Sequence, residues 1–149
     1  KRNFNKKDFK AIHPAGSLGA QLMTVEDIMY TGEKVPFANE KINMNEAIKI
    51  INLKKLGVLI LKNNKGITTG ILTDGDIKRL LQKNDKIHNL KVKSLLIKNP
   101  VSVNKDILAA KALTIMNEKK ITCLCVHEKN KKKTIGLIDI HSILNSKIL

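Results

Sequence analysis

Residues 44–61 read Met44-Asn45-Glu46-Ala47-Ile48-Lys49-Ile50-Ile51-Asn52-Leu53-Lys54-Lys55-Leu56-Gly57-Val58-Leu59-Ile60-Leu61. Met44, Ala47, Ile48 and Ile51 follow the i, i+3, i+4, i+7 spacing that places one apolar stripe on a helix. After a polar tail, the unbroken run Val58-Leu59-Ile60-Leu61 predicts a buried strand. The passage recurs at an offset of 65. Ala109, Ala112, Leu113 and Met116 repeat the stripe, Asn117-Glu118-Lys119-Lys120-Ile121 the tail, and Cys123-Leu124-Cys125-Val126 the strand.

Working outward, polar turns follow at Lys62 to Lys65 and at Glu128 to Lys133, the second being longer, which moves the offset to 66. Gly70-Ile71-Leu72 then matches Gly136-Leu137-Ile138, and closing helices are expected from about Asp74 to Lys83 and from about Asp139 to Lys147. Upstream, Val25-Glu26-Asp27-Ile28-Met29 corresponds to Val92-Lys93-Ser94-Leu95-Leu96. The chain therefore reads as two copies of a lead-in, helix, strand, turn, strand and helix. Each copy of roughly 60 residues is too small for a comfortable core of its own, so the two are expected to share an interface. Short turns make each strand pair a hairpin with helices over one face of a small sheet.

The 149 residues carry 28 Lys+Arg against 13 Asp+Glu, a formal charge of +15, with 42% hydrophobic residues. That apolar fraction excludes global disorder, and no window approaches ~18 uncharged apolar residues, which excludes a membrane-spanning helix. The charge invites a nucleic-acid reading, but its details argue against one. Only Arg2 and Arg79 are arginines, and Phe4, Phe9, Tyr30 and Phe37 do not interleave with basic residues as a stacking platform requires. Cys123 and Cys125 are the only cysteines; two apart in an apolar strand, they read as core in a reducing, cytoplasmic compartment. No further Cys/His cluster accompanies them, so no metal or cofactor is expected. The start, Lys1-Arg2-Asn3-Phe4, lacks an initiator Met and a hydrophobic signal region, and reads as a piece of a longer protein.

Two segments carry more specific chemistry. In Gly70-Ile71-Leu72-Thr73-Asp74-Gly75-Asp76-Ile77-Lys78-Arg79 a strand ends and a helix begins at once. Thr73 and Asp76, three apart, form a capping box on one reading. On the other they offer a hydroxyl and a carboxylate to an anionic or ribose-bearing ligand at a helix start. Arg79 is equally a phosphate partner or part of a solvated helix face. The second segment, Ile12-His13-Pro14-Ala15-Gly16-Ser17-Leu18-Gly19, is a tight linker of Gly, Pro and Ser. Of the remaining histidines, His88 lies in the polar stretch Asn84 to Asn89, His127 ends a strand, and His141 stands at the position of Gly75.

The doubled pattern closing on Gly70-Ile71-Leu72-Thr73-Asp74-Gly75-Asp76 resembles a tandem pair of CBS domains, regulatory modules that bind adenosyl or other nucleotide ligands. The resemblance implies an α/β fold of two βαββα repeats, with small mixed sheets packed face to face about a pseudo-two-fold axis. It implies that Thr73 and Asp76 hold a ribose and that Leu56, Gly57 and Val58 hold the base. The second copy departs, with Asp139 in place of the hydroxyl and Ser142 in place of the carboxylate.

The string Asp8-Phe9, His13-Pro14-Ala15-Gly16-Ser17-Leu18-Gly19, Thr31-Gly32-Glu33-Lys34-Val35-Pro36 resembles the junction of D-arabinose-5-phosphate isomerases, where a sugar-isomerase (SIS) domain runs into a CBS pair. That likeness divides the chain into an SIS tail over 1–19, a first repeat over 20–86 and a second over 87–149. It implies that His13 contributes to the active site only in the longer enzyme, this stretch alone being inactive. It also implies a nucleotide or nucleotide-sugar effector, such as an adenine nucleotide or CMP-Kdo, contact with the protein's own SIS domain, and homo-oligomerisation, as a dimer of CBS pairs in a tetrameric parent. An assembly module that binds nothing and a basic nucleic-acid binder are the alternative readings.

Overall fold

The computed structural model describes residues 18–95, 97–128 and 131–146. His13 lies outside them. The helices are α1 (Leu18–Gln21), α2 (Val25–Ile28), α3 (Met44–Lys54), α4 (Asp74–Lys83), α5 (Ala109–Lys119) and α6 (Ile140–Asn145), with 3-10 turns at Gly32–Lys34 and Val92–Ser94. The strands are β1 (Phe37–Asn39), β2 (Val58–Lys62), β3 (Thr68–Thr73), β4 (Ile97–Lys98), β5 (Ser102–Asn104), β6 (Cys123–His127) and β7 (Thr134–Asp139). The doubling is present element by element: α3 and α5, and β2 and β6, stand 65 apart, and β3 and β7 stand 66 apart. No helix among the described residues is long and apolar enough to cross a membrane.

Two compact units result. One holds Gly32–Pro100 with Lys132–Thr134. Its sheet has the order β1-β2-β3-β4, with β1 parallel to β2, and β3 antiparallel to both β2 and β4. The buried face of α3 (Met44, Ala47, Ile51) packs with Leu59, Leu61 and Leu72, and Ile87 and Val92 complete the cluster. Each fully buried aliphatic side chain of this kind contributes about 1.5–3 kcal/mol through apolar area removed from water. Val58, Ile60 and Ile71, on the opposite face of the sheet, are buried as well, which is why β2 reads as a continuous apolar run.

The other unit holds the described residues of Lys1–Thr31, Val101–Lys131 and Ile135–Leu149. Its strand order is β5-β6-β7, with β5 parallel to β6. Ala109, Ala112, Leu113 and Met116 of α5 pack with Leu124, Val126, Ile138 and Ile143, and with Met23 and Val25. Tyr30 forms a one-residue bridge to Leu137, donating its amide at 2.8 Å and accepting from the Leu137 amide at 3.1 Å. That bridge is the counterpart of β4, so one sheet counts four strands and the other three.

The units do not follow the sequence copies. The lead-in of the second copy closes the core of the first: Val92 N donates to Ile42 O at 3.0 Å, and Met44 N at the head of α3 donates to Leu90 O at 2.9 Å. Reciprocally, Val25 N donates to Ile107 O at 2.9 Å, and Ala109 N at the head of α5 donates to Met23 O at 2.8 Å. The first-turn amides of a helix have no partner within it, and here each helix takes its partner from the other copy's lead-in.

Both central helices end alike. Lys55 (φ 61°) and Lys120 (φ 56°) take the left-handed conformation that usually falls to glycine at a helix C-terminus.

Candidate functional site

The strand-to-helix junction at Thr73 is built by local chemistry. Thr73 is extended (φ −114°, ψ 163°) and caps α4. Asp76 N donates to Thr73 Oγ1 at 3.1 Å, and Thr73 N donates to Asp76 Oδ2 at 2.9 Å, so the reciprocal capping box is complete. Acting as an acceptor, the Thr73 hydroxyl keeps its own proton available to donate. Asp76 is only 8% exposed. Its other oxygen, Oδ1, accepts from Arg79 Nη2 at 2.6 Å, one turn on, while the Arg79 side chain is 68% exposed. A buried carboxylate is costly unless paired, and here a backbone amide and a guanidinium meet that need.

Beside the junction lie Leu56, Gly57 and Val58, at the entry to β2. Gly57 has φ +69°, and Asp74 N donates to its carbonyl at 2.9 Å. A Cβ at Gly57 would stand 2.9 Å from Asp74 Oδ2, a side-chain end free to swing away, so it is the positive φ that calls for glycine. Leu56 and Gly57 are half-buried and Val58 is buried. The six residues named from the sequence, Leu56, Gly57, Val58, Thr73, Asp76 and Arg79, therefore all belong to one unit and gather where β2, β3 and α4 meet. On the Arg79 side, a hollow of about 190 Å³ is lined by Asp76, Arg79, Leu80, Lys83 and Leu95. Lys83, Leu80 and Leu95 are additions that sequence reading did not supply; Lys83 sits four residues beyond Arg79, the spacing of one helix face.

The equivalent junction in the other unit repeats the cap with the roles exchanged. Asp139 Oδ1 accepts from Ser142 N at 2.7 Å, and Asp139 N donates to Ser142 Oγ at 3.2 Å. Asp139 is 7% exposed. Burial, and secondly the negative charge of Asp139, raise the pKa of the Tyr30 phenol. Tyr30 escaped the sequence reading because nothing local marks it; the offset of 67 that pairs Val25 with Val92 puts it opposite Ile97. His141, at the position of Gly75, is exposed, as is His88. His127 ends β6, and burial lowers its pKa. Cys125 is buried and Cys123 half-buried.

A sequence model of the CBS domain family matches residues 25–83 and 92–148. The chain is 36% identical to Uncharacterized protein RP505 of Rickettsia prowazekii (strain Madrid E), over 97% of this chain and 44% of that protein. It is 30% identical to Arabinose 5-phosphate isomerase KdsD of Yersinia pestis, over 99% of this chain and 45% of that protein. The chain thus spans somewhat under half the length of these curated relatives. Among solved structures, the CBS domain pair of protein MJ0100 in complex with 5'-methylthioadenosine and S-adenosyl-L-methionine aligns with TM-score 0.75 at 21% identity, covering 83% of this chain and 94% of that one. CBSX2 in complex with AMP aligns with TM-score 0.71 at 20% identity, covering 83% and 95%.

Proposed function

The chain belongs to the CBS domain family, and we propose that it is the regulatory module of an arabinose 5-phosphate isomerase, binding a nucleotide-type ligand at the Thr73–Asp76 junction. The observation that carries the reading is the Asp76 carboxylate: nearly buried, capped by Thr73, met by Arg79, and bordering a hollow with a second cation, Lys83. A ribose diol finds its acceptor in Asp76 and a donor in the Thr73 hydroxyl. A base lies toward Leu56, Gly57 and Val58, and a phosphate toward Arg79 and Lys83. Adenosyl and adenine ligands in the two solved CBS proteins support an adenine nucleotide. A nucleotide sugar such as CMP-Kdo, implied by the resemblance to arabinose-5-phosphate isomerases, is the other candidate effector.

Isomerisation itself belongs, on this reading, to a sugar-isomerase domain of the same polypeptide, with His13 contributing there. The ligand influences that domain only to the extent that it binds one conformation better than another. Homo-oligomerisation through the CBS pair and a cytoplasmic setting belong to the same proposal.

Calorimetric titration with AMP, ATP, CMP and CMP-Kdo tests the reading. At least one is expected to bind and to raise the melting temperature, the stabilisation growing with the logarithm of ligand excess and reaching about 2.7 kcal/mol at a hundredfold excess over Kd. Thr73→Ala is expected to weaken that ligand about tenfold or more while far-UV circular dichroism stays native. Absence of heat and of stabilisation with all four would leave the assembly role in its place.

A further inference from the structure

Both oxygens of the Asp76 carboxylate are engaged, and in different ways. Oδ2 accepts from the Thr73 amide and belongs to the cap; Oδ1, the oxygen left for anything else, accepts from Arg79 Nη2 at 2.6 Å. The guanidinium is folded back toward the start of α4. A Cβ built on Gly75 would lie 3.4 Å from Arg79 Nη1, 3.6 Å from Nη2 and 3.7 Å from Thr73 Oγ1. Arg79 therefore lies over Asp76 Oδ1 and beside Gly75, within the stretch Thr73–Asp76 that the ribose diol of that reading must reach. The same guanidinium borders the hollow that also holds Lys83.

Resting on the nucleotide reading above, we propose that Arg79 is a latch on the site, opened by a ligand that carries a phosphate and left shut by a bare nucleoside. An ion pair with one partner in water is a weak tie, and a planar guanidinium takes a phosphate through two parallel hydrogen bonds. A phosphate entering the hollow draws Arg79 off Oδ1, and Lys83 adds a second positive charge there. The same movement frees Oδ1 for the diol, so phosphate and ribose are bound together. A nucleoside brings no anion and must compete with Arg79 for Oδ1. The second copy carries Ser142 and Asn145 at the positions of Asp76 and Arg79 and has no such latch.

Calorimetry on the full chain with two matched pairs, AMP with adenosine and CMP with cytidine, decides the matter, using wild type, Arg79→Gln and Arg79→Lys. In the wild type the monophosphate of the accepted base is expected to bind at least about tenfold more tightly than its nucleoside. Arg79→Gln is expected to weaken the monophosphate and, unlike the loss of a simple phosphate contact, to tighten the nucleoside several-fold, bringing the two affinities close together. Arg79→Lys, keeping the charge without the fork, falls between. Nucleoside affinity unchanged in Arg79→Gln, or a monophosphate and nucleoside of equal affinity in the wild type, overturns the latch and leaves the nucleotide site standing. Failure of the wild type to bind either monophosphate overturns the latch, and the nucleotide reading falls with it only when ATP and CMP-Kdo fail to bind as well.

Discussion

At the scale of single residues, the junction at Thr73 shows how much chemistry three positions hold. A hydroxyl at the cap and a carboxylate three residues on satisfy two helix amides reciprocally, and both bonds are present. This was legible because a cap is a contact within one helical turn. The Arg79–Asp76 pair was not: residues three apart on a helix are neighbours, but spacing alone does not say whether the longer side chain folds back onto the carboxylate or extends into water.

His127 belongs to the same scale. Burial lowers its folded pKa below the ordinary 6.5, so the folded chain resists a proton that the unfolded chain accepts. Its contribution is neutral above about pH 6.5 and destabilising as pH falls through that value, levelling off once both states are protonated. The melting temperature is therefore expected to fall between pH 7.5 and 5.5, and to fall less steeply in His127→Gln; identical slopes for the two proteins would refute this.

Among the elements, the helices and the central strands announce themselves and the edge pieces do not. α3, α5, β2 and β6 carry full apolar stripes or runs, and each falls where its pattern ends. β1, β4 and β5 are two or three residues long, too short for any period to show, and they form because a neighbouring strand offers its open side. Ile87, 1% exposed within a polar stretch, is invisible for a related reason: one apolar residue has no periodicity. The edge at Tyr30 has a measurable consequence. A Cβ on Gly136 would stand 2.6 Å from Met29 Sδ and 2.8 Å from the Tyr30 carbonyl oxygen, and that oxygen is fixed by its bond from the Leu137 amide. Gly136→Ala is expected to cost about 1–3 kcal/mol by chemical denaturation. Gly75→Ala, whose added atom meets the end of the Arg79 side chain at 3.4 Å and Thr73 Oγ1 at 3.7 Å, ordinary contact distances, should cost clearly less. Equal costs would mean that the Tyr30 edge yields freely.

For the whole molecule, the decisive feature is the exchange of lead-ins. Val92, fully buried, belongs to the second copy by sequence and to the core of the first by contact, and Val25 is its mirror. Val92→Ala should therefore remove about 2 kcal/mol and raise native-state hydrogen exchange chiefly in α3 and β2, whereas Val25→Ala should do so chiefly in α5 and β6. Exchange rising in the mutated residue's own copy instead would contradict the exchange of lead-ins. The duplication, the order of helices and strands within each copy, and the capped junction that marks the candidate site are all legible in the order of residues. Those features rest on contacts within a turn or along one strand, where spacing and residue type suffice. Which lead-in seals which core, and where the Arg79 guanidinium rests, are settled by packing in three dimensions. The two lead-ins offer nearly the same carbonyls and apolar side chains to helix starts with the same unmet amides, so local pattern is degenerate between pairing within a copy and pairing across copies, and long-range packing breaks the tie.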